Sequence, residues 1–331
     1  MPIPRRAALL LLALAAPLAF AQSAAPAAAS SAAPAGFPDK PVRLVVPFPP
    51  GGATDALARL IADKLSERWK QQVIVENKPG ANTTLGTDVV AKSAPDGHTL
   101  GIVTGSHVIN PLITSKLPYD TLKDLTGVMA LTRFHMALYA HPSFPASTPA
   151  ELIALAKKEP GTVAYASATT QSYLGMELLN AMAGTKMRYV PYKGSAQATT
   201  DVIGGHVPLM VDPVLAATLE QVKAGKLKLV ATLGARPSEL APHAPLMASA
   251  VPGYDFSGAF GLVARGGTPP ALVRRVRDEF VAVMNLPEVA ERIRAIGQET
   301  IASTPEEYDA YVRAEMKKWE PVVKATGAKL D

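Results

Sequence analysis

The sequence predicts an α/β protein of two lobes, each a mostly parallel sheet flanked by helices, with a ligand cleft between them. Short β-branched runs alternate with amphipathic stretches at helical spacing from Val42 onwards, and strands that alternate with helices pair in parallel and are covered on both faces. The alternation produces more strands than one twisted sheet holds comfortably, and large sheets tend to split. Residues 37–331 are long enough for two medium domains, and a hydrophobic content of 48% supplies their cores.

The elements follow in order. Val42, Leu44, Val45 and Val46 form a buried strand, because β-branched side chains pack well on a pleated surface. PFPPGGATD makes a tight turn, and Leu57, Leu60, Ile61 and Leu65 recur on one helical face. QQVIVEN (71–77) and HTLGIV (98–103) are strands, with TLGTDVVAKSA between them as a helix. A second series opens at Pro149: helix 149–158, strand TVAYAS, helix 172–183, strand MRYVPY, helix 195–203, strand VPLMVD, helix 214–223 and strand KLKLVATL. Helices dominate after Pro269, and the last opens with Thr304 as cap and Pro305 in its first turn. The chain passes between lobes near 136–142 and 256–264, which makes the first lobe discontinuous, 37–138 plus 256–331, and the second 139–255.

Arg5 and Arg6 precede an apolar run from Ala7 to Phe20, too short to span a bilayer, and LAFAQ carries the small-residue cleavage pattern. Residues 1–21 therefore predict a cleaved signal peptide, and the Ala, Pro and Ser of 22–36 a disordered leader, because such a composition cannot bury enough surface to offset chain entropy. The formal charge of +5 falls to about +3 without the two signal arginines, and the basic residues form no cluster, which argues against nucleic acid as a partner. There is no cysteine, so an exported chain of this size relies on its core alone.

In open α/β sheets ligands sit at the carboxyl ends of strands. Five loops there are rich in small or hydroxyl residues: 47–55, 104–110, 166–172, 191–195 and 211–213. Their candidate ligand residues are Phe48, Pro49, Gly51, Ala53, Thr54 and Asp55, then Thr104, Gly105, Ser106 and His107. The later loops add Ser167, Thr169, Thr170 and Gln171, with Lys193 and Asp212 beyond them. Small residues admit a ligand close to backbone N–H groups, and hydroxyls donate to carboxylate oxygens, so the set suits a small acid. Each also has a plain structural reading. The first turn can simply join strand to helix, Thr54, Asp55, Ser195 and Asp212 can be caps, Lys193 a solvated turn residue, and His107 a packed one.

Enzyme signatures are missing: no G-x-S-x-G, P-loop, H-E-x-x-H or G-x-G-x-x-G occurs, and the six histidines never fall at i, i+4. Neither a metal nor a cofactor is expected. A periplasmic enzyme using Asp55, His107 or Asp212 as acid or base is the alternative, but no second polar group is placed by the sequence to hold one of them.

FPDKPVRLVVPFPPGGATDALARLIADKL, VIVENKPGANTTLG, AKSAPDGHTL, VPYKGSAQATTDVIGGHV, VKAGKLKLVATL and STPEEYDAYVRAEMKKW together resemble the Bug family, the extracytoplasmic substrate-binding proteins of tripartite tricarboxylate transporters. The similarity runs from about Phe37 to the C-terminus. It implies a type II-like periplasmic binding protein, monomeric and non-catalytic, that closes two lobes on a small carboxylate and serves membrane permease subunits or, in some relatives, a sensor kinase. It further implies a grip by backbone amides of Pro49, Gly51, Ala53, Thr54 and Asp55, with Thr104, Gly105 and Ser106 beside them. Relatives carry a glycine-rich loop of the SAGxGS kind after the strand TVAYAS, whereas this chain reads Ser167, Ala168, Thr169, Thr170, Gln171, Ser172, shorter and without glycine. Side-chain donors there are expected to take over from backbone ones.

Overall fold

A computed structural model describes residues 36–51 and 53–329. The expected signal peptide (1–21) and leader (22–36) lie outside the described residues, apart from Gly36. The first half contains β1 (Val42–Val46), α1 (Ala53–Trp69), β2 (Val73–Asn77), α2 (Thr84–Ala91), β3 (Thr99–Val103) and α3 (Ser106–Ile113). Next comes β4 (Leu125–Ala140), then α4 (Pro149–Lys158), β5 (Ala164–Ser167), α5 (Thr170–Ala183), β6 (Arg188–Pro191), α6 (Ser195–Ile203), β7 (Leu209–Pro213), α7 (Ala216–Lys223) and β8 (Lys228–Thr232). The chain returns through β9 (Ser257–Arg265) and ends with α8 (Pro270–Met284), α9 (Pro287–Ala295), β10 (Gln298–Thr300) and α10 (Pro305–Thr326).

Within each half the α/β repeats pair in parallel, β2 and β3 on β1, and β6 and β7 on β5. The returning segments pair the other way: β9 runs antiparallel to β3 and β4, and β4 antiparallel to β7, β8 and β10. The sheet is thus mixed, in the order β2-β1-β3-β9-β4-β7-β5-β6. β4 changes partners along its length. Leu125 to His135 pair with β9, whereas Met136 to Ala140 pair with β7.

The helices cover both faces. Leu44, Ile61 and Leu100 are fully buried together with Phe280 of α8, and Tyr139, Ala166, Val202 and Met210 form a second buried group. The C-terminal helix α10 packs against α3, β4 and α5, and its Trp319 meets Phe256 edge-on with ring centroids 6.0 Å apart. Local chemistry starts two helices where the sequence said. Thr148 caps α4 and Thr304 caps α10, each with a full capping box closed by Glu151 or Glu307. One segment differs. TGSHVIN, read as a loop, is mostly α3, because burying Val108, Ile109 and Ile113 outweighs the helix-breaking signal of Pro111.

Where β4 and β9 cross the middle of the sheet, Gly258 lies under Phe134, and a Cβ there would sit 1.9 Å from the tip of its ring. Gly258→Ala is therefore expected to overpack the centre of the sheet and lower stability in urea by about 1–3 kcal/mol. Unchanged unfolding would show that Phe134 moves freely.

Candidate functional site

At the carboxyl ends of the parallel strands lies a cavity of about 250 Å³. Two of its walls come from helix beginnings of the first half, Asn82 and Thr83 ahead of α2 and Thr104 and Ser106 at α3. Two come from the second half, Ala168 to Ser172 at α5 and Ser195 at α6. The floor is apolar. Phe48, Phe134 and Phe260 meet there, with Phe260 5.4 Å from Phe134 and 6.4 Å from Phe48 between ring centroids. Ile109, Met136 and Val211 complete it beside Pro213 and Asp212.

Three of the four helix starts at the cavity lack a side-chain cap, as α7, α8 and α9 elsewhere also do. α2, α3 and α6 have no side-chain cap bond, and only α5 does, with Thr169 Oγ1 accepting from the Ser172 amide at 3.0 Å. The first amides of a helix have no partner within it, and the dipole adds positive potential. Three uncapped N-termini facing one cavity make it a place for negative charge. α4 and α10, which do not reach the cavity, close their own ends with capping boxes.

The turn before α2 holds this arrangement under strain. Ala81, Asn82 and Thr83 are consecutive non-glycine residues with positive φ, 46°, 48° and 72°, each costing on the order of 1 kcal/mol. Asn110 of α3, fully buried, compensates. Its Oδ1 accepts from Asn82 Nδ2 at 2.6 Å, and its Nδ2 donates to the Asn82 carbonyl at 2.9 Å and to Thr84 Oγ1 at 3.1 Å. Ser106 Oγ ties the two helix starts together, 2.5 Å from Thr83 Oγ1 and 2.9 Å from Thr104 Oγ1.

Of the sequence candidates, Phe48, Thr104, Ser106, Thr169, Thr170, Gln171 and Asp212 come together in the cavity lining. Gly105 lies at its edge, where a side chain would collide with the amide of Gln171. Gln171 of the second half thus rests on the backbone of the first. Ser167 is buried behind this loop, its Oγ 3.4 Å from the Thr169 carbonyl. Lys193 is exposed and outside the lining. His107 is buried, and loss of solvation lowers its imidazole pKa to about 4, so the ring is neutral at physiological pH.

The first turn is placed differently from the backbone grip expected of it. Pro49 and Gly51 are exposed, and Thr54 points into a separate crevice with Leu57, Ile61 and Met284. Nothing is described of the Ala53 side chain. The Gly51 amide donates to Asp55 Oδ2 at 2.9 Å, and so does Arg59 Nε at 3.0 Å. Asn77 Nδ2 donates to Asp55 Oδ1 at 2.8 Å and to the Phe48 carbonyl at 3.0 Å. Asp55 is thereby committed to shaping the turn that presents Phe48, and the Arg59 and Gly51 donors lower its pKa to about 2.

Asp212 is the opposite case. It is 6% exposed and receives Ser195 Oγ at 2.5 Å on Oδ1. Burial pushes its carboxyl up to about 6 against that one donor. Asn82, Thr83, Phe134, Met136 and Phe260 are lining residues outside the five loops that sequence reasoning singled out. The loop after β2 could have been found, since it lies at the carboxyl end of a parallel strand. Which way Phe134 and Phe260 face could not, because the side-chain direction depends on strand register.

A larger groove of about 750 Å³ lies on the other face of β4 and β9, lined by Arg133, His135, Asp255 and Glu307 among others. Its charges are mixed, and the α10 start beside it is closed by its own cap. Among the described residues no cluster of His, Asp or Glu has metal-binding geometry, and no helix is long and apolar enough to cross a membrane.

The Asp55 geometry has a pH consequence. A carboxyl whose folded pKa is depressed stabilises the fold fully above its unfolded value of about 4, and that stability is lost as pH falls through the folded value. Asp55→Asn is expected to lower the melting temperature at neutral pH, and the gap from wild type should close as pH drops from about 4 towards 2. A gap independent of pH would mean that the ionised carboxylate is not what holds the turn.

Residues 57–328 match the family described as "Tripartite tricarboxylate transporter family receptor". Protein BugT of Bordetella pertussis is 33% identical over 299 residues, 89% of this chain and 91% of BugT. Among solved structures, an R. palustris protein with adipate aligns with a TM-score of 0.73 at 33% identity, covering 88% of this chain and 99% of that one. MatC from Rhodopseudomonas palustris with bound malate aligns with a TM-score of 0.70 at 30% identity, covering 87% and 100%. Likeness of sequence and fold over nearly the whole described chain places this protein in the tripartite tricarboxylate transporter receptor family, the periplasmic solute-binding proteins that include the Bug proteins.

Proposed function

We propose that this protein captures a small carboxylate in the cavity between β1, β3, β5 and β7 and delivers it to the membrane subunits of a tripartite transporter. The observation that carries the reading is the convergence of the uncapped α2, α3 and α6 starts, with the hydroxyls of Thr83, Ser106 and Thr169, on one cavity floored by three phenylalanines. Amides and hydroxyls suit a carboxylate, and the phenylalanines suit a ligand with an apolar body. Relatives solved with adipate and with malate support an acid of this size. Residues 37–138 with 256–331 form one lobe and 139–255 the other in this reading, closing across Gly105 and Gln171.

Residues 1–21 direct export in the same reading, and mass spectrometry of periplasmic protein should find the chain beginning at Gln22. A retained Met1 would contradict it. The ligand reading is tested by a thermal-shift screen of the purified mature protein against aliphatic dicarboxylates, aromatic acids and amino acids, with adipate and malate included. An acid at about 100 times its Kd should stabilise by about 2.7 kcal/mol. The saturated sample should also show a smaller radius of gyration by X-ray scattering, as lobe closure requires. If no acid raises the melting temperature, the cavity is not a carboxylate site.

A further inference from the structure

The cavity contains one element that opposes its apparent purpose. Among the described residues that line it, Asp212 is the sole ionisable side chain, and no lysine, arginine or histidine faces it. An ionised Asp212 would stand buried in a small cavity against an incoming anion, where like charges repel strongly. The surroundings supply no counter-charge. From β4 the register partner is Ala137, and the nearest titratable group is the Tyr139 hydroxyl, which donates to the Pro213 carbonyl at 3.4 Å. Burial holds that phenol above its usual range, so it stays neutral. β5 places Ala166 against Met210. The α5 start offers Thr169, Thr170, Gln171 and Ser172, none of which titrates near neutrality.

α6 contributes the Ser195 hydroxyl, while Asp201 farther along it accepts from Tyr192 Oη at 2.6 Å and Lys193 before it is exposed outside the lining. His135 and Glu299 pair at 2.9 Å, and His135 lines the groove on the other face of β4. Ser195 occupies Oδ1 of Asp212. This leaves Oδ2 as the oxygen available to a ligand.

We propose that the receptor holds its acid with Asp212 protonated, Oδ2–H donating to the ligand, so that capture of a dicarboxylate takes up one proton from solvent. This rests on the carboxylate reading above. The balance is simple: the proton adds to the Asp212 carboxylate, no other bond changes, and the cavity gains one positive charge as the dianion enters. The free protein is already poised for it, since burial alone holds the carboxyl at about 6. The sign follows. The ligand raises the pKa further, so affinity is full below the free value and falls as pH rises above it. With the free carboxyl at about 6, only about 1% carries the proton at about pH 8, so binding that requires it is about 100-fold weaker there.

The test uses adipate and malate as probes, above about pH 6.5, where both are fully ionised. Calorimetry of the wild type in phosphate and in Tris, which differ in ionisation heat, should show uptake of about one proton per acid bound near pH 7.5. Affinity should weaken about tenfold per pH unit from about pH 6.5 upwards. Asp212→Asn, which mimics the protonated acid in shape and donor, should bind independently of pH and at least about tenfold tighter than wild type at about pH 8. Ser195→Ala removes a donor that favours the ionised form, so its affinity should begin to fall at a higher pH than that of wild type.

No proton uptake near pH 7.5, with Asp212→Asn binding no tighter than wild type at about pH 8, overturns the inference and shows that the acid binds beside an ionised Asp212. Wild-type affinity independent of pH from about 6.5 to 8.5 overturns it equally. The two-buffer measurement decides without any variant. If neither acid binds either protein at any pH, the carboxylate reading fails and this inference with it, an outcome distinct from binding without proton uptake.

Discussion

Backbone pairing along β4 is the constraint on which the rest of the molecule depends. Its first eleven residues bond to β9 and its last five to β7, so a single strand belongs to both halves of the sheet. Alternation along a strand sends successive side chains to opposite faces. At the point where β4 changes partners, Phe134 and Met136 therefore enter the ligand cavity while Arg133 and His135 face the groove behind. A slip of one residue would exchange the two sets and put charge where the ligand's body belongs. Gly258 on β9 leaves the room that the tip of the Phe134 ring occupies. The position of the cavity floor is thus a matter of hydrogen-bond register rather than of local preference.

Around this floor the protein withholds stabilisation where it needs polarity. Capping boxes close the starts of α4 and α10, which lie away from the cavity, while α7, α8 and α9 there are uncapped as well. At α2, α3 and α6 the same backbone groups lack side-chain caps, and three left-handed residues before α2 add strain. Asn110 pins that strained turn from α3, and Asp55 pins the neighbouring turn through Gly51, Arg59 and Asn77. Preorganised donors do not have to be ordered when the ligand arrives, so the cost is met in folding rather than in binding. Sites that break local rules in this way are where function is expected to lie.

Two carboxylates with opposite environments divide the work. Asp55 is surrounded by donors and stays ionised far below neutral pH, which makes it a structural strut. Asp212 has one hydroxyl donor and a buried position, which makes its charge negotiable near neutrality. Both fall in short stretches that the sequence reads as loops after strands, although Asp55 stands in the first turn of α1 and Asp212 near the end of β7. Donor count and burial separate them.

Much of the fold was legible in the residues because it rests on interactions within a few positions of each other. The alternation of Val42–Val46 with the Leu57, Leu60, Ile61 and Leu65 stripe, the Pro149 helix start and the Thr304 cap are local patterns, and each recurs in the structure. Long motifs in order also carried the family. The candidate site was legible in part, since Thr104, Ser106, Thr169 and Gln171 follow strands whose ends could be placed. What tertiary structure alone decided are contacts between distant positions: Asn77 beneath the Phe48 carbonyl, Asn110 holding Asn82, Ser195 on Asp212, and Phe134 against Phe260. Asp55 turned from a candidate contact into a strut for the same reason, because its partner Asn77 comes from the neighbouring strand β2. Local sequence sets which element forms. Strand register and sheet order set which side chains meet, and they depend on pairings that no local pattern records.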